Sequence, residues 1–246
     1  MSDWLFDLGN SRFKFAPLQD GHIGDIRAWP HEADLADRHD CEVLPHGETA
    51  WLASVASPAQ TKAVVGALRP RFADVRFAHT VSRCAGVQIA YADPGKLGID
   101  RFLALLAAFD HRHDALIVAV GTAMTIDLLD REGVHHGGRI SASPTTMRQA
   151  LHERAAQLPE SGGQYREFAD DTGDALASGC EGAAIALIER TLQQAQHRLG
   201  RTPGLLIHGG GADALLPELP QAQHRTKLVL EGLAIWIRHA AGTATA

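Results

Sequence analysis

An acidic residue followed by a glycine turn interrupts an apolar segment near the start of the chain. The segment WLFDLGNSRFKFA (4–16) alternates apolar residues on both sides of its glycine, as a β-hairpin does. Backbone N–H groups at such a turn, with the side chains of Asn10 and Ser11, could hold phosphate oxygens. Lys14 would add positive charge, and the Asp7 carboxylate would hold a hydrated Mg²⁺. An ordinary surface hairpin capped by its aspartate explains the same residues, so this segment alone leaves both interpretations open.

A second segment repeats this pattern about half a chain further on. The segment IVAVGTAMTIDLL (117–129) again has an apolar strand, a glycine with small neighbours, and another apolar strand. Gly9 and Gly121 lie 112 positions apart. Two related halves that each open with a hairpin would explain this spacing, and so would a chance likeness between two hairpins. Asp127, inside the second apolar strand, is either a site residue or a charge on an edge strand.

A third glycine cluster follows another apolar run. In LLIHGGGADALLP (205–217), a predicted strand leads through Gly209, Gly210 and Gly211 into a predicted helix. A loop of this kind favours nucleotide binding, because glycines permit close contact and a helix N-terminus presents N–H groups. The spacing matches neither the P-loop pattern nor GxGxxG, which disfavours both of those sites.

Two further segments combine polar residues with predicted helix starts. In YADPGKLGIDRFLALLAA (91–108), Asp100 could accept a proton from a substrate hydroxyl and Arg101 could pair with a substrate carboxylate. Stabilisation of the helix dipole by the aspartate and solvation of the arginine explain the same two residues. In FADDTGDALASGC (168–180), Thr172 is the expected N-cap of a long helix. The pairs His111/His113 and His135/His136 lie in predicted loops without acidic or thiol partners at ligand spacing, and these histidines are expected to be solvated and not to bind a metal.

The composition narrows the classes of partner. The 246 residues are 45% hydrophobic, and the net charge of −6 gives no general attraction to nucleic acids or anionic membranes. The sequence has neither a signal-peptide pattern nor an apolar run of the roughly 18 residues that a membrane span needs. Three scattered cysteines, Cys41, Cys84 and Cys180, fit a reducing compartment and argue against a disulfide framework or a structural zinc site. We therefore expect a cytoplasmic protein with no nucleic-acid or membrane partner.

Apolar spacing and turn residues predict the elements that must position these groups. The predicted strands are 3–8, 12–17, 51–55, 74–78, 87–90, 115–120, 124–129, 133–140 and 204–208. The predicted helices are 59–69, 98–110, 145–157, 173–199, 210–216 and 226–241. A run of strands followed by strand–helix alternation indicates a mixed α/β protein.

Taken in order, the motifs resemble those of a known enzyme family. They are DLGNSRFK (7–14), SVASP (54–58), YADPGKLGIDR (91–101), GTAMTID (121–127), GGRI (137–140), DTGDALASG (171–179) and HGGGAD (208–213). This succession, which runs from Asp7 to about Ile235, is similar to the type III pantothenate kinases. That family belongs to the superfamily of acetate and sugar kinases, Hsp70 and actin.

The resemblance implies a fold and an activity. The fold would be α/β, with two ribonuclease-H-like domains, 1–113 and 114–246, as duplicated halves around a nucleotide cleft. The activity would be ATP-dependent phosphorylation of the 4′-hydroxyl of pantothenate, the first step towards coenzyme A. The cofactors would be ATP and Mg²⁺, and the chain would form a homodimer.

The resemblance also implies roles for individual residues. Asp100 would be the general base, Asp7 would hold Mg²⁺, Thr122 would contact ATP, and Arg101 would match the carboxylate of pantothenate. The first phosphate hairpin would comprise Asp7, Leu8, Gly9, Asn10, Ser11, Arg12, Phe13 and Lys14. The pantothenate site would comprise Tyr91, Gly98, Ile99, Asp100, Arg101 and Thr172. The loop of Gly209, Gly210 and Gly211 would lie by the adenosine.

The sequence departs from the family pattern at two places. Ala119 stands where the family has an aspartate that helps to bind a monovalent cation, which puts K⁺ or NH₄⁺ activation in doubt. The family's GGxIxPG reads GGRISASP (137–144) here, with its proline displaced. Another small-molecule kinase of the superfamily and a non-catalytic regulatory or nucleotide-binding protein on the same fold are the alternative functions.

Overall fold

The computed structural model describes residues 2–10, 12–30, 44–110 and 112–243. Ser11, one of the predicted phosphate ligands, lies outside these residues. Within them, no helix is both long enough and apolar enough to cross a membrane.

Thirteen strands and six helices are formed by the described residues. The strands are β1 Asp3–Leu8, β2 Arg12–Gln19, β3 His22–Ile23, β4 Arg27–Pro30, β5 Gly47–Ser54, β6 Phe72–Phe77, β7 Arg83–Cys84, β8 Val87–Gln88, β9 Ala115–Val120, β10 Ala123–Leu129, β11 His135–Ala142, β12 Gly204–His208 and β13 Ala222–His224. The helices are α1 Pro58–Leu68, α2 Ile99–Ala108, α3 Pro144–Arg154, α4 Thr172–Leu199, α5 Ala212–Leu215 and α6 Leu228–Thr243. Short 3₁₀ turns at Pro94–Lys96 and Leu216–Glu218 complete the set.

The two main sheets repeat one strand order. The first runs β3-β2-β1-β5-β6, with β4 paired to β2, and the second runs β11-β10-β9-β12-β13. Each starts with an antiparallel hairpin, β1–β2 or β9–β10, and then adds parallel strands beside the first strand of that hairpin. The half-chain repeat seen in the sequence is therefore a repeat of topology, and the predicted α/β fold with duplicated halves is confirmed.

The apolar alternation of the first hairpin builds one face of the first sheet. Phe6 stacks on Phe13 at 5.7 Å between ring centroids and on Phe15 at 5.8 Å. Val64 and Leu68 of α1 are buried in the same cluster. Because side chains alternate across a strand, the intervening residues of β1, including the Asp7 carboxylate, project from the opposite face. The alternation that places aromatic rings in the core thus places Asp7 on the other side of the sheet.

The second sheet buries its apolar face against the long helix α4. Leu116, Val118 and Met124 of the hairpin are at most 1% exposed, as are Ala184 and Ile188 of α4. This cluster fixes the β9–β10 hairpin, so that the turn at its tip lies at the carboxyl end of β9.

The chain packs into two compact units, and the second is inserted into the first. One unit comprises Met1–Ala107 with Lys227–Ala246, and the other comprises Ala108–Thr226. Helix α6 packs on β1, so it belongs with the first unit and not with the second half of the chain. The division into domains 1–113 and 114–246 stays a prediction. The predicted second domain contains α6, whereas the compact units place α6 in the first unit.

Helices α2 and α6 approach so closely that only glycine fits at one position. A Cβ built on Gly232 of α6 would overlap the carbonyl oxygen of Leu103 in α2. We expect Gly232→Ala to lower the free energy of unfolding by about 1–3 kcal/mol, as overpacking of a core does. Chemical denaturation measures this difference.

A second helical glycine provides the matched control. A Cβ on Gly66 of α1 meets no atom within 4 Å, so Gly66→Ala changes helix propensity alone. We expect it to raise the free energy of unfolding by about 0.5–1 kcal/mol. Equal effects of the two substitutions would contradict the close approach of α2 and α6.

Candidate functional site

Asp7 lies at the end of β1, immediately before the turn of the first hairpin. In the antiparallel register it stands directly opposite Lys14, and in the parallel register it stands beside Ala53 of β5. Because the alanine side chain is small, the Asp7 carboxylate and the Lys14 side chain are the large groups on this part of the sheet. Gly9 and the exposed Asn10 then form the described part of the turn.

The environment of Asp7 favours its protonated form. Burial raises the pKa of Asp7 from 3.8 to about 7, while the positive charge of Lys14 lowers it and the negative charge of Asp100 raises it. A desolvated carboxylate with a strongly raised pKa is typical of functional sites. Because the Asp100 charge acts on Asp7, the two acids lie near enough to interact, and both belong to the first unit.

Asp100 lies in the first turn of α2, where its own helix fixes its side chain. Its Oδ1 accepts a hydrogen bond from the backbone N–H of Arg101 at 2.8 Å. A Cβ on Gly98 would lie 2.7 Å from that oxygen, so the glycine leaves room for the carboxylate. The Thr80 hydroxyl donates to the Leu97 carbonyl at 3.0 Å, which ties the loop before α2 to the preceding segment.

Arg101 is held by Tyr91, the first residue of the motif YADPGKLGIDR (91–101). Its guanidinium Nη1 donates to the Tyr91 hydroxyl at 3.3 Å and lies 5.9 Å from the centroid of the tyrosine ring. Arg101 is only 6% exposed. An arginine that is buried and oriented in this way can present a fork of N–H donors to a carboxylate.

Three of the predicted site residues have core side chains. Leu8 is 0%, Phe13 2% and Ile99 8% exposed, and Leu8 and Phe13 belong to the aromatic cluster of the first sheet. Any contact that these residues make with a ligand would therefore involve the backbone. Their types are explained by packing.

The second hairpin presents a turn that is exposed at its tip but anchored at its base. Gly121 N–H donates to the Ala123 carbonyl at 2.9 Å, and all three turn residues are exposed. The Thr122 carbonyl accepts a hydrogen bond from the Thr146 hydroxyl, in the first turn of α3, at 2.6 Å. The turn therefore offers the Thr122 side chain to a ligand while its backbone is held by a helix.

Packing requires two of the three glycines in the HGGG loop. Gly209 has a φ of +100°, and a Cβ there would overlap the Val120 carbonyl oxygen. Gly211 N–H donates to the same carbonyl at 3.0 Å, and a Cβ on it would lie 2.8 Å from the Val120 side chain. The loop that carries Gly210 thus lies against the end of β9, beside the second hairpin turn.

The N-cap of α4 is not the residue predicted. Asp171 caps the helix, because its Oδ1 accepts hydrogen bonds from Gly173 N–H at 2.8 Å and from Asp174 N–H at 3.1 Å. Thr172 is the first helical residue and is exposed. The prediction of Thr172 as the cap was wrong because the preceding aspartate binds the free N–H groups instead.

The second sheet also holds polar pairs that sequence reasoning missed. His135 Nε2 lies 2.9 Å from Asp127 Oδ1, and both side chains are buried. Next to them, His136 Nε2 lies 2.7 Å from Asp130 Oδ2. Strand β10 is flanked by β9 and β11, so the edge-strand alternative for Asp127 was wrong, as was the expectation of solvated histidines here. Pairing of His135 with Asp127 satisfies a buried carboxylate in the sheet interior.

The donor set limits what kind of metal site is available. Among the described residues, no group of three or more histidine, cysteine or acidic side chains could hold a metal ion together. A site with one carboxylate suits Mg²⁺, which keeps several waters and binds through substrate phosphates. It does not suit a tightly caged transition metal.

The fold and the paired turns define the class of protein first. A protein of Campylobacter jejuni assigned to the Baf family of transcriptional activators has a TM-score of 0.65 at 19% identity, covering 97% of this chain and 99% of its own. A protein of Sinorhizobium meliloti described as a 2-dehydro-3-deoxygalactonokinase has a TM-score of 0.55 at 14% identity, covering 96% and 98%. The chain therefore shares its fold with both of these proteins.

Sequence comparison then identifies the family. The model of the type III pantothenate kinases matches residues 4–194. A type III pantothenate kinase of Stenotrophomonas maltophilia (strain K279a) is 62% identical over 239 residues, covering 97% of this chain and 98% of its own. One from Xanthomonas campestris pv. campestris (strain B100) is 59% identical over 243 residues, covering 98% and 99%. The chain belongs to the type III pantothenate kinase family, which confirms the resemblance, and it is a kinase.

Proposed function

We propose that this kinase transfers the γ-phosphoryl group of ATP to the 4′-hydroxyl of pantothenate, the first step towards coenzyme A, with Asp100 as general base. Family membership supports the reaction. The observation that supports the residue roles is the electrostatic coupling of Asp7 and Asp100 beside a buried arginine.

The Asp7 carboxylate fits a magnesium ion. It is the desolvated acid at the phosphate turn, and a divalent cation would compensate the charge that burial disfavours. When bound, Mg²⁺ would neutralise charge on the phosphates of ATP. Among the described residues, no group of three or more histidine, cysteine or acidic side chains offers a competing metal site, which agrees with that choice.

The chain's own residues supply alignment and proton transfer. Asp100 accepts the proton of the 4′-hydroxyl as the oxygen attacks the γ-phosphorus, and the bond to the β–γ bridging oxygen breaks to release ADP. Lys14 adds positive charge at the first turn. Arg101 pairs with the pantothenate carboxylate, Thr172 contacts pantothenate, and Thr122 contacts ATP. Most of the catalysis comes from positioning and electrostatics, because phosphoryl transfer requires little covalent help.

Removal of the Arg101 charge tests the pantothenate site. We expect Arg101→Met to raise KM for pantothenate about 10- to 100-fold, because a charge-assisted hydrogen bond to the substrate is lost. KM for ATP should change less than twofold. Steady-state kinetics with each substrate varied measure the split, and Arg76→Met, an exposed arginine, is the control. Equal increases of both KM values would contradict the assignment.

A coupled ADP-release assay tests the function itself. With ATP and Mg²⁺, we expect ADP release with pantothenate as acceptor and none with acetate or hexoses. Mass spectrometry of the product should show one added phosphoryl group on pantothenate. Release with a sugar or a short acid would favour another kinase of the superfamily. ATP binding without ADP release to any acceptor would favour a non-catalytic role.

We propose that the chain acts as a homodimer in the cytoplasm, with ATP and pantothenate as its small-molecule partners and no nucleic acid. Exposed apolar side chains in the second unit support self-association, since Ile140 is 65% and Phe168 97% exposed. Sedimentation velocity measures the oligomeric state.

A further inference from the structure

The altered loop GGRISASP brings the start of α3 to the second hairpin turn. Ser143 is the N-cap of α3 and Pro144 is its first residue, which is the order that favours a helix start. Ser143 is 1% exposed. Its backbone N–H points to the Thr122 carbonyl, with a nitrogen–oxygen distance of 3.4 Å. Helix α3 therefore begins at the displaced Pro144, next to the Gly121–Ala123 turn.

A chain of directed hydrogen bonds links this helix to the turn. The Ser143 hydroxyl accepts from Thr146 N–H at 3.3 Å and donates to the Thr146 hydroxyl oxygen at 3.3 Å. The Thr146 hydroxyl then donates to the Thr122 carbonyl at 2.6 Å. Each hydroxyl donates once, so the direction of the chain is fixed. The Thr122 carbonyl receives the last donor of the chain together with the Ser143 N–H.

The family pattern places a cation-binding aspartate at position 119, next to the last residue of β9 and two residues before this turn. Cations such as K⁺ are held by carboxylates and backbone carbonyls. Ala119 provides no side-chain oxygen, and its partners in register are Thr125 on β10, which offers only a hydroxyl, and His208 on β12, which is 8% exposed. The Thr122 carbonyl already accepts hydrogen bonds from two donors. Position 119 therefore lacks the carboxylate that the family pattern supplies to the cation, and the Thr122 carbonyl is already engaged, so these residues fit that cation poorly.

We propose that Thr146 is a positioning residue for the second phosphate turn, and that its hydroxyl, with the Ser143 cap, holds this turn in the absence of a monovalent cation. Turnover then does not depend on K⁺ or NH₄⁺. The proposal rests on the proposed function, in which Thr122 contacts ATP.

Isosteric substitution of Thr146 tests the positioning role. We expect Thr146→Val to raise the Kd of AMP-PNP with Mg²⁺ about tenfold by titration calorimetry, because the turn loses its hydroxyl donor. KM for ATP should rise similarly while KM for pantothenate stays within twofold. Thr146→Ser, which keeps the hydroxyl, should restore both values to within about twofold of wild type. Thr145→Val makes the same chemical change at the neighbouring exposed residue of α3 and should have no effect.

The outcomes separate this proposal from the function on which it rests. An unchanged Kd for AMP-PNP in Thr146→Val overturns the positioning role, and so does failure of Thr146→Ser to restore binding. Equal increases of the KM values for ATP and pantothenate would indicate a general loss of structure and also overturn it. Absence of pantothenate-dependent ADP release from the wild type contradicts the proposed function instead, and the calorimetric readout still tests the turn.

Exchange of the monovalent salt tests whether turnover depends on K⁺ or NH₄⁺. The wild type should turn over at rates within twofold in KCl, NH₄Cl, NaCl and choline chloride at equal ionic strength. Its Kd for AMP-PNP should be equally insensitive. Stimulation of tenfold or more by K⁺ or NH₄⁺ would overturn this part of the proposal.

Discussion

Asp100→Asn is expected to lower kcat by about 10²- to 10⁴-fold, the range that a general base contributes. Asparagine keeps the oxygen that accepts the Arg101 N–H, so the first turn of α2 keeps its geometry. Only the ability to take the hydroxyl proton is lost. The Kd of Mg²⁺-ATP should therefore stay within about threefold of wild type, because this substitution leaves the nucleotide contacts in place.

Single-turnover kinetics with saturating ATP and pantothenate measure this loss at the chemical step. Asp74→Asn removes the same charge from an exposed position in the first unit and is the control. A kcat near the wild-type value in Asp100→Asn would contradict the assignment of Asp100 as the general base. Loss of ATP binding together with kcat would instead point to a structural role for Asp100.

Asp7→Asn is expected to abolish most turnover while making the metal-free protein more stable at alkaline pH. The activity should fall about 10²-fold or more, since the carboxylate proposed to hold Mg²⁺ is gone. The gain in stability has a separate cause. Burial raises the pKa of Asp7 to about 7, so the ionised form is disfavoured in the folded state.

The sign of the pH dependence follows from that raised pKa. Below about pH 3.8 the carboxyl is protonated in both the folded and the unfolded state. Between 3.8 and about 7 the folded state keeps a proton that the unfolded state has lost, so the contribution of Asp7 to stability falls as pH rises. Asparagine removes this fall, and the shift sets an upper bound of about 4 kcal/mol on the gain at pH 8.

Urea denaturation in EDTA at pH 5 and pH 8 tests the effect. The difference in free energy of unfolding between Asp7→Asn and wild type should grow with pH. Asp74 provides a contrast, because the hydrogen bond from Arg76 lowers its pKa and Asp74→Asn should not stabilise the protein. A pH-independent difference for Asp7→Asn would contradict the burial of this carboxylate.

The main elements of the fold could be predicted because their patterns are local. Apolar alternation predicted β1 and a continuous apolar run predicted β9, both with the bounds found, and the spacing of two glycines favoured two related halves, which the repeated sheet order supports. The missed strands are β3, β4, β7 and β13, which have two to four residues and carry too little pattern to recognise.

The unpredicted parts of the site depend on contacts between distant residues. The Thr146–Thr122 hydrogen bond spans 24 positions, and the His135–Asp127 pair forms only after β10 and β11 align. Neither contact has a local signature. The Ser143–Pro144 pair did carry a helix-start signal, but nothing in the sequence told which turn that helix would meet. The coupling of Asp7 with Asp100 likewise depends on the packing of the whole first unit.

The insertion of one unit into the other sets an order on synthesis at the ribosome. The second unit is continuous in sequence, so its sheet and α4 can fold as soon as Ala108–Thr226 has emerged. The first unit cannot complete its fold at that stage, because its last helix, α6, follows the second unit in the sequence. Helix α6 packs on β1 and against Leu103 of α2. Until then the nascent chain exposes an apolar sheet face, which chaperones recognise. The helix that carries Asp100 therefore gains its packing partner α6 last, and we expect activity only after the residues around Gly232 have left the ribosome.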